Sequence, residues 1–243
     1  MRLNPVLAEL GASPIATIQQ RARALRDAGK KIVDFSIGDP RESTPFFIRH
    51  AVEEAVPEVS QYPLPGGTSE LKSAIADYTA RRFGVDVNPE TQVVATSGSK
   101  EAIFNSPLAF IDSNAADAVV YPTPGYAIYE RGARFAGAQV IPIRLGGDFV
   151  LRVDDIPESA WERARLVWVC SPHNPSGSVT SATELASLVE RARASGTLLL
   201  SDECYTDVYE DEAFDEAPAS VLEVAGPGSL GVLSFFSCSK RSG

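Results

Sequence analysis

Thr197-Leu198-Leu199-Leu200-Ser201-Asp202-Glu203-Cys204-Tyr205 sets a short apolar run against a polar tail. An apolar run of that length, bounded by polar residues, suits a strand covered on both faces. Asp202 ends it, and an unpaired carboxylate there would carry a steep desolvation cost. The stretch therefore asks for a cationic partner or, alternatively, for a helix that Asp202 caps. Similar runs recur along the chain, and strands are expected over Gln92–Thr96, Ala118–Tyr121, Gln139–Ile143, Leu166–Val169, Thr197–Ser201 and Gly231–Phe236.

Helical patterns fill the gaps, over Lys100–Ile111, Tyr126–Phe135 and Thr180–Ala194, the last with Leu185, Leu188 and Val189 on one face. Upstream, Ser13-Pro14 reads as an N-cap followed by proline at the first helical position, opening a helix to about Asp27 before Gly29. Thr68–Phe83 is a further helix, with Leu71, Ile75 and Tyr78 on its apolar side. Strands alternating with helices define an α/β chain, a three-layer sandwich around a mostly parallel sheet.

In a parallel sheet the carboxyl ends of the strands share one edge, where open α/β sheets bind their ligands. Five polar segments begin there: Thr96-Ser97-Gly98-Ser99-Lys100, Pro122-Thr123-Pro124-Gly125-Tyr126, Ser171-Pro172-His173-Asn174-Pro175-Ser176-Gly177, Asp202-Glu203-Cys204-Tyr205 and Ser237-Cys238-Ser239-Lys240. Gly98-Ser99-Lys100 opens a helix, whose first N–H groups bind phosphate readily. Lys100 opposes the helix dipole, a penalty that a bound phosphate would reverse; the alternative is a plain N-cap at Ser99 with Glu101 offsetting the charge. Lys240 follows the run Val232-Leu233-Ser234-Phe235-Phe236. Partial desolvation there would lower its pKa and supply the neutral amine that an aldehyde requires; a solvated loop lysine is the alternative. A protonated pyridine nitrogen would suit Asp202, while Asn174 and Tyr205 can donate to a phenolate oxygen. Tyr126 could stack on an aromatic ring or simply pack.

The chain has 243 residues, 44% hydrophobic and 22% charged, enough for one large domain or two modest ones. Its formal net charge of -10 argues against nucleic acid or an anionic membrane as partner and leaves small molecules. No run is long and apolar enough to span a bilayer, so a cytoplasmic location is expected. Cys170, Cys204 and Cys238 lack C-x-x-C spacing, and His50 and His173 are far apart. No metal site is expected. Neither G-x-G-x-x-G nor a Walker sequence is present.

Gly38-Asp39-Pro40, Tyr62 with Gly66-Gly67 and Leu71, Ser97-Gly98-Ser99-Lys100, Asn174-Pro175-Ser176-Gly177, Asp202-Glu203-Cys204-Tyr205 and Ser237-Cys238-Ser239-Lys240 together resemble the class I/II aminotransferases. These are fold type I enzymes dependent on pyridoxal 5′-phosphate (PLP). The resemblance implies that Lys240 carries the cofactor covalently and moves the proton between the substrate α-carbon and the cofactor C4′. It implies that Asp202 pairs with the pyridinium nitrogen, Asn174 and Tyr205 bind the 3′ oxygen, and Tyr126 stacks on the ring. Ser99, Lys100 and Ser237 would hold the phosphate. In a homodimer, Tyr62 would reach the phosphate of the neighbouring subunit, and Gly38 would line the substrate side. The wording of Ser36-Ile37-Gly38-Asp39-Pro40, Tyr126-Ala127-Ile128-Tyr129-Glu130 and Ser239-Lys240-Arg241-Ser242 is most similar to succinyldiaminopimelate aminotransferases of the lysine pathway.

The implied reaction moves an amino group between an amino acid, glutamate or N-succinyl-diaminopimelate, and a 2-oxo acid. Residues 1–40 would belong to the small domain or arm, and 41–243 to an incomplete PLP-binding large domain. The resemblance implies a domain-sized continuation past the lysine, with the arginine that clamps the substrate carboxylate; Arg241 takes neither that role nor a phosphate role. A truncated product impaired in transamination is therefore expected, and measurable turnover with glutamate and a 2-oxo acid would contradict it. An aspartate- or alanine-type aminotransferase, a PLP-dependent C–S lyase and an inactive PLP-binding fragment are the other readings.

Overall fold

Pairing along five of the six strands expected from the sequence produces one sheet. The computed structural model describes residues 2–10, 14–35, 38, 42–209 and 217–240. Two units are distinguished, one from the N-terminus to Ser43 and one from Thr44 onward. The first holds α1 (Pro5–Leu10) and α2 (Pro14–Asp27), with Arg26 paired to Asp34 at 2.6 Å. Gly29 follows α2 at φ 74°, a C-terminal signal that the sequence supplied. Ser13, the expected cap of α2, lies outside the described residues, as do Ser36, Ile37, Asp39, Pro40, Arg241 and Ser242.

The second unit begins with α3 (Phe46–Ala55), α4 (Ser69–Phe83), α5 (Pro89–Gln92) and α6 (Ser99–Phe110). Then β1 (Ala118–Thr123), α7 (Ile128–Phe135), β2 (Gln139–Arg144), α8 (Glu158–Trp161), β3 (Ala164–Cys170), α9 (Ala182–Ala194), β4 (Leu198–Asp202), α10 (Val221–Ala225) and β5 (Val232–Phe235) follow. The five strands lie in the order β2-β1-β3-β4-β5, and every pair is parallel.

Burial decides which side chain goes where. On one face Val119, Tyr121, Leu166, Trp168, Leu200 and Phe235 pack against Ile103 of α6 and Tyr129 and Ala133 of α7. On the other, Val120, Val167, Val169 and Leu199 meet Leu185, Leu188 and Val189 of α9 and Val221 of α10. The period-2 alternation of strands thus divides consecutive apolar residues between two helical layers, which is why residues 166–170 of β3 and 198–200 of β4 are apolar without interruption. Each fully buried Leu, Val or Trp contributes about 1.5–3 kcal/mol of hydrophobic stabilisation.

Local chemistry sets the helix ends. Thr68 accepts from Leu71 N–H at the start of α4, and Gly84 ends it in the left-handed region. Ser181 and Glu184 form a capping box on α9. Leu71, expected on the apolar side of α4, is instead 47% exposed, whereas Thr79 and Phe83 are buried. Gln92–Thr96 is not a strand. Asn88 accepts from the N–H groups of Glu90 and Thr91, so the Asn-Pro pair nucleates the helical turn α5 and draws Gln92 into it. Val93 is then buried and Val94 exposed, in an extended segment whose Ala95 N–H donates to Gly66.

Candidate active site

The strand register aligns Cys170 with Asp202 and Asp202 with Phe235, so β3, β4 and β5 finish together. The order 2-1-3-4-5 has its topological switch between β1 and β3, the place at which open α/β sheets bind their ligands. Tyr126 lies on the loop after β1 and Asn174 on the loop after β3. His173 joins the two: its ring lies 3.1 Å through Nε2 from the Pro124 carbonyl oxygen and 2.7 Å through Nδ1 from Ser176 Oγ. Burial of the ring lowers its pKa.

Asp202 is 3% exposed, on the α6/α7 face. Its Oδ2 accepts from the Tyr129 hydroxyl at 2.6 Å and its Oδ1 from the Cys204 N–H at 3.2 Å. Among the described residues neither Lys nor Arg pairs with it, so a buried carboxylate is left with two neutral donors and no counter-charge. Its field reaches two further phenols. Tyr126 is pushed up to about 12 by burial first and by Asp202 second. Tyr205 is raised by the same two causes. Tyr126 also meets Tyr129 edge-on at 5.7 Å, and Tyr129 stacks on Trp168 at 4.6 Å. Tyr126, Tyr205 and Asp202 therefore form one cluster, with Cys170 at its base, its thiol pushed up to about 12 by burial.

The start of α6 comes to the same edge. Gly98 precedes it at φ 103°, a conformation that side chains rarely adopt, and offers no side chain to cap the first turn. The Ser99 side chain stands near the Cys204 thiol, beside the end of β4. Lys100 is exposed beside Glu101, whose carboxylate accepts from Ser97 N–H. After β5, Ser237 Oγ accepts from Ser239 N–H at 3.1 Å, and Lys240 sits half-buried in the turn that follows. Asn174 is half-buried, its N–H directed at Cys170 Sγ. Tyr62 is 99% exposed, and Gly38 lies in the first unit, exposed.

Two participants were not singled out in the sequence. Tyr129 stands three residues after Tyr126, a spacing that brings two side chains to one side of a helical turn, and that spacing was the available signal. His173 reads in sequence only as a poor metal ligand, because its partner, the Pro124 carbonyl, is distant in the chain.

The donor set suits PLP. A buried carboxylate lacking a cationic side chain matches a protonated ring nitrogen, the uncapped first turn of α6 matches a phosphate, and phenols and the half-buried residue Lys240 follow the ends of neighbouring strands. Among the described residues no three His, Cys, Asp or Glu side chains converge as a metal-binding group.

Residues 30–243 match the family model for aminotransferase class I and II. The chain belongs to that family. LL-diaminopimelate aminotransferase of Aquifex aeolicus is 34% identical over 93% of this chain and 58% of its own length. The protein of the same name from Nitratidesulfovibrio vulgaris strain DP4 is 36% identical over 98% of this chain and 61% of its own length. Among solved structures, an aminotransferase from Neisseria meningitidis superposes with a TM-score of 0.87 at 31% identity, over 99% of this chain and 62% of that one. Aspartate aminotransferase from Thermus thermophilus with maleate gives 0.88 at 28% identity, over 100% and 62%. The chain thus spans about three fifths of the relatives it matches, and the shared fold is that of the fold type I aminotransferases.

Proposed function

We propose that this chain contributes the PLP-binding half of a transaminase acting between an amino acid and a 2-oxo acid. The observation that carries the reading is Asp202, a buried carboxylate with neutral donors and no cation beside it among the described residues. Asp202 would hold the ring nitrogen protonated, Tyr126 would lie against the ring, and Asn174 and Tyr205 would donate to the 3′ oxygen. Ser99, Lys100 and Ser237 would bind the phosphate. When bound, PLP supplies an aldehyde carbon and an electron sink. Lys240 would hold the cofactor through its amine and carry a proton to and from the substrate α-carbon. The names of the most similar relatives favour LL-diaminopimelate, and with it lysine biosynthesis, over its N-succinyl derivative as the amino-group substrate; glutamate would be the partner of the second half-reaction.

The site belongs to a homodimer in this reading. Tyr62, fully exposed, would serve the phosphate of a second copy, and Phe46, Phe47 and Leu64, each more than 60% exposed, would be covered by it. Gly38 would line the substrate side, within an N-terminal segment that belongs to the smaller domain.

Incubation with PLP, borohydride reduction and peptide mapping by mass spectrometry tests the reading. A single pyridoxyl adduct on Lys240 is expected, lost in Lys240→Ala and weakened in Asp202→Ala. No adduct, or one spread over other lysines, overturns it. A C–S lyase is separated from a transaminase by release of pyruvate and ammonia.

A further inference from the structure

Two consecutive carboxyls at the end of β4 face opposite ways. Asp202 lies on the α6/α7 face with Leu200 and Phe235; Glu203 points to the α9/α10 face and is only 2% exposed. The cofactor reading leaves Glu203 without a role. Its main chain is nevertheless the meeting point of the site's loops. The Glu203 N–H donates to the Phe235 carbonyl at 2.9 Å, joining the end of β4 to the end of β5. The Glu203 carbonyl accepts from the N–H of Thr206 at 3.2 Å and from its hydroxyl at 2.7 Å, closing the turn that carries Cys204 and Tyr205. The side chain adds a third link, as Oε1 accepts from Val221 N–H at 3.0 Å, at the start of α10.

The surroundings of Oε2 are polar but uncharged. Ser201 and Ser234 are partners across β4 and β5; their hydroxyls and Glu203 Oε2 are buried close together, and none of the three oxygens has a hydrogen-bond partner among the described residues. Among the described residues no Lys or Arg pairs with this carboxyl, and the groups that bear on it are Ser220, Val221 N–H, Ser201 and Ser234. A lone buried charge there would be costly, whereas a protonated acid can donate to one serine and accept from the other.

We propose that Glu203 is a positioning residue that works as a neutral acid, fastening the ends of β4 and β5 to each other and to α10, and thereby fixing Asp202 and Tyr205 relative to the Ser237–Lys240 turn. Its bearing on catalysis rests on the PLP reading above. Burial lifts the Glu203 carboxyl from its ordinary 4.5 to about 7, so the proton is held through the acidic range and about half released near pH 7. Few titratable groups surround it. Asp202 and Cys204 flank it in the chain, and the Cys170 thiol on β3 lies within its electrostatic reach. Glu223 of α10 accepts from Ser220 N–H. Arg193 of α9 is engaged by the Ala225 and Leu230 carbonyls, and Arg82 of α4 by Asp207 and the Thr206 and Pro218 carbonyls.

Glu203→Gln and Glu203→Ala in the 243-residue chain test this, by amide hydrogen exchange of residues 202–207 and 232–237 without PLP, and by borohydride-trapped PLP attachment. Glutamine keeps the neutral acid's shape, acceptor and donor. E203Q is expected to protect both segments and to bind PLP as the parent chain does, within about twofold. E203A is expected to exchange both segments at least about tenfold faster and to bind PLP about tenfold more weakly, a tenfold change being about 1.4 kcal/mol. Should E203A fail to fold, Glu203→Asp, an acid one methylene short of Val221 N–H, takes its place with the same expectation. Deprotection or loss of PLP in E203Q overturns the neutral-acid role, and unchanged exchange in both E203A and E203D overturns the positioning role. If the parent chain binds no PLP while the exchange pattern holds, the cofactor reading fails and the fastening of the strand ends stands.

Discussion

The Tyr129 hydroxyl and Asp202 face each other at 2.6 Å in a pocket sealed by Trp168 and Cys170. A hydrogen bond to a charged group contributes about 1.5–3 kcal/mol net, and its loss leaves a carboxylate oxygen short of a donor. Tyr129→Phe should therefore lower stability by about 2 kcal/mol, read as a shift in the urea midpoint at unchanged slope. Glu203 makes a second prediction at this scale. Its carboxyl binds its proton more tightly folded than unfolded, so the folded chain carries more protons between pH 4.5 and about 7. Stability from this group is thus complete below pH 4.5, declines as pH rises, and is gone above about 7; the shift corresponds to at most about 3 kcal/mol. Urea unfolding at pH 5 and pH 8 should show that decline in the parent chain and a smaller one in E203Q. Equal declines in the two would exclude Glu203 as its source.

Among the elements, α4 and α7 bear most directly on the site. Arg82 of α4 donates to Asp207 at 3.1 Å and to the carbonyls of Thr206 and Pro218, while Tyr78 donates to the other Asp207 oxygen at 2.8 Å. The same helix flanks Phe236, which lies edge-on to Tyr78 and stacked on Phe83. One helix thus holds the turn after Tyr205 and the residue before Ser237. Arg82→Met keeps the packing of the stem and removes the fork of bonds; about 1–2 kcal/mol should be lost, with faster amide exchange concentrated in 205–209. Helix α7 depends on close approach. A Cβ on Gly132 would stand 2.6 Å from the Phe104 carbonyl oxygen of α6. Gly132→Ala must push α6 and α7 apart at a cost of about 1–3 kcal/mol. Because α7 carries Tyr129, the Asp202 bond should weaken with it, and a thermal midpoint equal to that of the parent chain would contradict this.

For the whole molecule, the charge of -10 and the apolar surface around Phe46, Phe47, Tyr62 and Leu64 pull in opposite directions. Repulsion between like-charged copies is screened by salt, whereas burial of apolar surface is not. Self-association should therefore strengthen from low to moderate ionic strength in sedimentation velocity. A double substitution Phe46→Asp, Phe47→Asp should leave the monomer folded and remove that association. A monomer at every salt concentration would sink the dimer reading. No helix among the described residues is long and apolar enough to cross a membrane.

The sequence by itself determined the strands β1 to β5 within a residue or two, the helices α6, α7 and α9 and the polar loops at the strand ends, though not the short α8 and α10, because local periodicity, caps and turn residues are properties of neighbours in the chain. It also marked Asp202 as a carboxylate in need of a partner. Gln92–Thr96 was misread since the Asn88-Pro89 cap outweighs a β-rich composition. What only the tertiary structure decided was which polar atoms meet: Tyr129 with Asp202, His173 with Pro124, Glu203 with Phe235 and Val221. Those pairings depend on strand order and register, which join residues from distant parts of the chain, and burial then makes each one matter by removing the water that would otherwise have served in its place.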